Sequence, residues 1–186
     1  LFAGLRERKL ADDTLVVITG DHGESFGSPH ASWGHGARLY QEGIQVPLVV
    51  WNPRLIKKGR HLPTIGSHVD VNPTVTDILG LRADDSWHGR SMFDPGRPPR
   101  AYFYAANDDY LLGVREDDFK YIYNVTAGRE ELYDLAKDPE EQTNIAGQHP
   151  VKCKRLRQRV AAWREHEAEH LAELRAATPS PSPTPQ

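Results

Sequence analysis

The sequence is poor in sulfur. One Cys and one Met stand among 186 residues, so an internal disulfide framework is excluded. Long hydrophobic runs are missing too. The longest, residues 15–18 and 46–51, fall far short of the ~20 residues that cross a bilayer. No sign of charge dominates: Lys and Arg number 23 and Asp and Glu 26, a formal charge of −3. A nucleic-acid surface needs a basic excess, and this near-balance gives it no support. At 38% hydrophobic and 26% charged, the composition is that of a somewhat polar globular chain, long enough for a sizeable core. The chain opens at Leu1 without Met or a leader, and Leu1, Phe2, Leu5 and Leu10 already fall at helical spacing. This pattern suggests a chain entered in mid-domain, and it leaves the compartment unread. What the sequence has in excess is His, nine in all. Imidazole titrates near neutrality and ligates metals, so the excess points to metal or acid–base work.

Residues 14–19 and 46–51 are continuous, β-branched-rich apolar runs, as expected of strands buried on both faces of a parallel sheet. Between them lies a Gly-, His- and Ser-rich segment in which residues 36–43 have room for a short helix. Residues 72–80 predict a helix capped by Asn72, with Pro73 in its first turn and Gly80 at its stop. Residues 82–100 read as an irregular linker. Residues 101–105, 110–115, 119–124 and 130–135, separated by polar turns, predict an antiparallel meander. Residues 150–177 predict a long helix with Leu156, Val160, Trp163, Leu171 and Leu174 on one face. The Pro/Ser/Thr alternation of residues 178–186 predicts an extended, disordered tail.

The chemistry gathers after the first strand. Asp21 and His22, flanked by Gly20 and Gly23, stand where an open α/β sheet binds ligands, and both side chains are competent metal ligands. Two residues do not complete a metal site, so further ligands are required. His35, between Gly34 and Gly36, sits on backbone that can approach an anion closely and has a ring able to donate a proton. Each feature has a plainer reading. An Asp-His pair is often only a turn, His30 suits a solvated loop, and Glu24 is either a supporting group or an exposed acid. His166 and His170 stand at i, i+4 but lie among Glu165, Glu167 and Glu169, which favours a solvated face. His61, His68, His88 and His149 are scattered. Cys153 reads as a helix-surface or packing residue. Residues 124–126 match a glycosylation acceptor, a pattern common by chance.

The ordered motifs TLVVITGDHGE from Thr14, WGHG from Trp33 and LYQEGIQVPLVV from Leu39 resemble the C-terminal half of the sulfatase family, within the alkaline-phosphatase superfamily. The resemblance continues through VDVNPTVTDILG from Val69, Gly89-Arg90-Ser91-Met92, ELYDL from Glu131 and DPEEQTNIA from Asp138, and spans about residues 1–175. It implies the later portion of an alkaline-phosphatase-like α/β sandwich over residues 1–99. A small antiparallel-sheet-plus-helix subdomain is expected over 100–177, with the tail at 178–186. It implies Asp21 and His22 as metal ligands, and His35 as catalytic and substrate-binding, in the place where many members carry Lys. The family metal is usually calcium, although an imidazole ligand suits manganese or zinc at least as well.

The implied reaction is metal-assisted hydrolysis of a sulfate ester, on a small molecule or a glycan. A phosphodiesterase, phosphonate hydrolase or phosphoglycerol-type transferase is the alternative within the superfamily. A non-catalytic metal-binding or interaction module is the alternative outside it. The family's C/S-x-P-x-R nucleophile motif is absent: Cys153 is followed by Lys154, Arg155 and Leu156. The expectation is therefore a C-terminal portion of a longer enzyme, probed against a decayed copy, with the nucleophile and remaining ligands upstream. An exported location follows from the resemblance alone.

Overall fold

The computed structural model describes residues 1–177; the sequence expectation for residues 178–186 lies outside them. Helix α1 (Phe2–Glu7) leads into strand β1 (Val16–Thr19). Two-residue strands β2 (Ser25–Phe26) and β3 (Trp33–Gly34) form a hairpin, and a one-turn helix α2 (Gln41–Ile44) precedes β4 (Leu48–Trp51). β4 pairs with β1 antiparallel, with Ile18 opposite Val49. This corrects the expectation of a parallel pair buried on both faces. The intervening chain doubles back through the hairpin and α2 instead of crossing the sheet in a long helix, so it returns in the opposite direction. Ile18 and Val49 stay 42% and 48% exposed. A continuous apolar run marks two apolar faces, but it does not fix strand direction.

Helix α3 (Val71–Ile78) follows a 3-10 turn at His68–Asp70. Asn72 is not its cap. Ser67 and Asp70 form a reciprocal capping box at the start of the 3-10 turn, one turn earlier than expected. The stop is as expected: Gly80 takes a φ of +67°, and the amides of Gly80 and Leu81 donate to the carbonyls of Asp77 and Thr76. The buried Asp70 carboxylate also accepts from the Arg90 amide and the Arg97 guanidinium (2.9 and 2.8 Å), which fastens the irregular linker to this helix.

The meander forms as the turns predict. Strands β5 (Arg100–Ala105), β6 (Leu111–Glu116), β7 (Phe119–Asn124) and β8 (Arg129–Asp134) make one antiparallel sheet in sequence order. Helix α4 (Pro150–Ala177) has the expected span. Alternation along the strands gives the sheet two covered faces. Leu112, Val114, Tyr121 and Leu132 pack with Cys153, Leu156 and Val160 of α4. Ala105, Leu111, Ile122 and Tyr133 pack on the other face with Leu39, beside Tyr40 and Ile44. The sheet is thus a middle layer between α4 and the segment that runs into α2. The apolar face of α4 ends sooner than expected: Leu156 and Val160 are buried, whereas Leu171 and Leu174 are about half exposed. Cys153 is a packing residue, 1% exposed, and burial pushes its thiol up.

Candidate functional site

The loop after β1 rests directly on α2. The Gly23 amide donates to the Gly43 carbonyl (3.0 Å), and a Cβ on Gly23 would run into the Glu42 carbonyl. Glycine is needed there for that approach. His68 closes the other side, with Nε2 2.8 Å from the Gly20 carbonyl. Sequence reasoning left His68 unassigned; its partner lies 48 residues away.

Within this loop the Asp21 carboxylate is open to solvent, its side chain 90% exposed. Its own backbone amide, and then the neighbouring His22, hold the carboxyl below the usual carboxylate range, so it is ionised at neutral pH. His22 Nδ1 lies 2.8 Å from the Gly23 carbonyl, an acceptor only, so that nitrogen carries the proton. Nε2 is left with a lone pair, 3.6 Å from Asp21 Oδ2.

The hairpin brings His35 to the same place. Ser25 pairs with Gly34, so the next residues outward, Glu24 and His35, face each other. Glu24 Oε2 lies 3.0 Å from His35 Nδ1, and the His35 ring stacks on His22 with centroids 3.8 Å apart. A carboxylate on one ring nitrogen fixes the tautomer and orientation, leaving Nε2 for a ligand. His22, Glu24 and His35 are the one group of three His, Cys, Asp or Glu residues among those described that brings ligand atoms within 4.8 Å of one another. The structure thus brings His22 and His35 together with Glu24, which sequence reasoning left between two readings, and places Asp21 beside His22 at the edge of that group.

Other His residues do not join them. His88 of the linker lies over His166 and His170 of α4, with centroids 5.2 and 4.0 Å apart, and its Nδ1 is 3.1 Å from Glu167. His30 is not a solvated loop residue. Its side chain is 13% exposed, stacked on Tyr40 (3.6 Å) and held between Glu42 Oε1 and the Glu141 carbonyl at 2.7 and 3.0 Å. Behind it, Lys120 and Glu141 form a fully buried ion pair at 2.7 Å. Nothing local in the sequence marks these two, because they meet only in the folded chain.

Residues 1–81 match the family described as Sulfatase. Choline-sulfatase of Rhizobium meliloti is 32% identical over 152 residues, covering 76% of this chain and 29% of that protein. In the structure of BT4656 in complex with its substrate D-glucosamine-2-N,6-O-disulfate, 37% of that chain matches 90% of this one, with TM-score 0.78 and 26% identity. The phosphonate monoester hydrolase of Agrobacterium radiobacter matches 95% of this chain over 38% of its own, with TM-score 0.65 and 31% identity. The chain thus spans about a third of the length of these relatives.

Proposed function

We propose, from the premise that this chain belongs to the sulfatase family of the alkaline-phosphatase superfamily, that it supplies one side of a metal-dependent hydrolase site for sulfate esters. The observation that carries the reading is the stack of His35, held by Glu24, on His22 beside Asp21 at the end of β1. The ionised Asp21 carboxylate and His22 Nε2 are the proposed metal ligands. They suit calcium by family resemblance, and the nitrogen donor suits manganese or zinc at least as well. A divalent cation bound there supplies charge neutralisation for the anionic ester. Glu24 accepts from His35 Nδ1–H and orients the ring. His35 Nε2 is then the atom that faces the ester, and in the imidazolium form, with Nδ1–H on Glu24, its Nε2–H supports the charge developing on the leaving oxygen. The nucleophile and two further acidic ligands are proposed to lie in residues outside this chain, in an enzyme that works outside the cytoplasm. The substrate proposed is a sulfated small molecule or sugar, of the kind that choline-sulfatase and BT4656 are named with.

A second reading, hydrolysis of a phosphonate or phosphate ester, is favoured by the 31% identity to the phosphonate monoester hydrolase. Assaying the longer protein on paired phenyl sulfate and phenyl phosphonate esters separates the two. Faster turnover of the sulfate is expected; the reverse preference hands the site to the phosphoryl reading. No turnover of either ester, with the cation bound, leaves a non-catalytic module. In the same protein His35→Ala is expected to lower kcat by about a hundredfold or more while changing cation affinity little. Equal losses of both would reject the role given to His35.

A further inference from the structure

The Lys120–Glu141 pair is buried on the face of the sheet opposite α4. Along β7, Phe119, Tyr121 and Tyr123 belong to the α4 face, so alternation turns Lys120 and Ile122 to the other side. There Lys120 Nζ lies 5.5 Å from the centroid of the Phe103 ring and 2.7 Å from Glu141 Oε1. Both side chains of the pair are 0% exposed. Removing two charges from water is costly, and apolar residues of the same volume often serve stability as well or better. Stability of the sheet is therefore a poor account of this pair.

The polar groups left over from the pair point to a better one, because they reach residues 30–41 rather than the sheet. Glu141 Oε2 accepts from the Gln41 amide at 2.6 Å, and Lys120 Nζ donates to Gln41 Oε1 at 3.2 Å. The Glu141 carbonyl meets His30 Nε2 at 3.0 Å while His30 Nδ1 meets Glu42 Oε1 at 2.7 Å. Gln41 begins α2, and α2 is the support on which Gly23 rests. His30 sits at the tip of the hairpin whose two strands set Glu24 opposite His35. The two ends of the segment that builds the site are thus held from the same place: the α2 support below the Asp21–Glu24 turn by the side chains of the pair, and the hairpin tip beyond His35 by the main-chain carbonyl of Glu141.

We propose that Lys120 and Glu141 are positioning residues that, through Gln41 and His30, fix the place of the loop carrying His22, Glu24 and His35. The assignment rests on the reading of that loop as part of a hydrolase site. It connects Lys120 of the meander and Glu141 of the DPEE turn to a site that lies far earlier in the chain. Lys120 and Glu141 touch none of the site residues, and their effect passes through packed and hydrogen-bonded neighbours.

The test uses the longer protein that contains this chain and completes the site, labelled at its His rings, with hydrogen exchange followed over residues 20–36 and Mn²⁺ affinity measured by calorimetry. Glu141→Gln removes the anion. His30→Ala cuts the strap while leaving the buried pair intact, so it addresses the case in which Glu141→Gln does not fold. Both are expected to speed exchange in residues 20–36 by about tenfold or more, to move the His35 ring resonances, and to weaken Mn²⁺ by about tenfold. Val160→Ala, on the α4 face of the sheet, lowers stability without touching the strap and is expected to leave all three readouts within about threefold. Unchanged exchange and ring resonances in His30→Ala would overturn the proposal, as would equal loosening in Val160→Ala. If the unaltered longer protein binds no Mn²⁺ while His30→Ala still loosens the loop and shifts His35, the metal reading fails and the positioning role stands.

Discussion

Of the fifteen buried apolar side chains among the described residues, Ala11, Leu39 and Pro73 come from residues 1–99, and the other twelve from residues 100–177. The candidate site shows the opposite distribution: Asp21, His22, Glu24 and His35 all lie in the first region. One region holds packing and the other holds chemistry. Burial of apolar area is the main favourable term in folding, so the second region carries its own stability. The first region holds two pairs of short strands and leaves Phe26 and Trp33 about three-quarters exposed. The site geometry therefore depends on what the first region borrows from the second, and the loan is made at Leu39, Tyr40 and the Lys120–Glu141 pair.

The largest effect is expected where that connection is cut. Lys120→Met leaves the Glu141 carboxylate buried without its cation, a change worth about 3–5 kcal/mol. Urea unfolding of the chain measures it. Adding Glu141→Leu removes the stranded charge and is expected to restore most of the stability without restoring the hold on Gln41. If the double variant stays as unstable as the single one, the pair is part of the sheet's own core and the division between regions is weaker than described.

Next in size is a test within each region. Leu156→Ala opens a cavity in the fully buried seam between α4 and the sheet and is expected to cost about 2–5 kcal/mol. Val49→Ala, at a position 48% exposed, is expected to cost well under half of that. Thermal melts of the two variants compare them directly. Similar losses would mean that β1 and β4 are packed as tightly as the meander.

This contrast also explains what the sequence discloses. The meander is legible because polar turns such as Asp117-Asp118 punctuate each strand, and α4 because Pro150 opens a long run of good helix formers. Asp21, His22 and His35 are legible through motif order. Glu24 is not, because its partnership with His35 depends on a hairpin of two-residue strands, too short to show alternation. Lys120 and Glu141 are charged residues that sequence alone assigns to the surface, and only a partner 21 positions away makes their burial tolerable. The antiparallel direction of β1 and β4 is hidden for a different reason: it is set by the path of the chain between them.

A smaller effect is expected with pH. Burial pulls the Lys120 ammonium from an ordinary 10.5 down to about 8, against the attraction of Glu141. The folded chain thus holds this proton less tightly than the unfolded chain does. Between about pH 8 and 10.5 the unfolded state binds more protons, so this residue makes stability rise with pH across that window and contributes no slope below it. Urea midpoints of the unaltered chain and Lys120→Met at both ends of the window isolate the contribution. The unaltered chain is expected to gain relative to the variant as pH rises. A constant difference would show that the ammonium is not desolvated by the sheet, and that the connection between regions is open to water.

The smallest effect is expected at the far end of α4. Its 28 residues extend about 42 Å at 1.5 Å per residue, whereas the six-residue strands beneath it span about 20 Å. The helix must therefore overhang the sheet, which is why its apolar spacing continues through Leu171 without burial. Leu171→Ser is expected to change stability by no more than about 0.5 kcal/mol, since the side chain is 51% exposed. Trp163, stacked parallel to Tyr102 with centroids 5.0 Å apart, holds α4 to the sheet, and Trp163→Ala is expected to cost more than Leu171→Ser. Chemical denaturation of both variants orders them. A loss at Leu171 equal to that at Trp163 would mean that the overhang is packed against something in solution, and that the second region's core extends beyond the sheet.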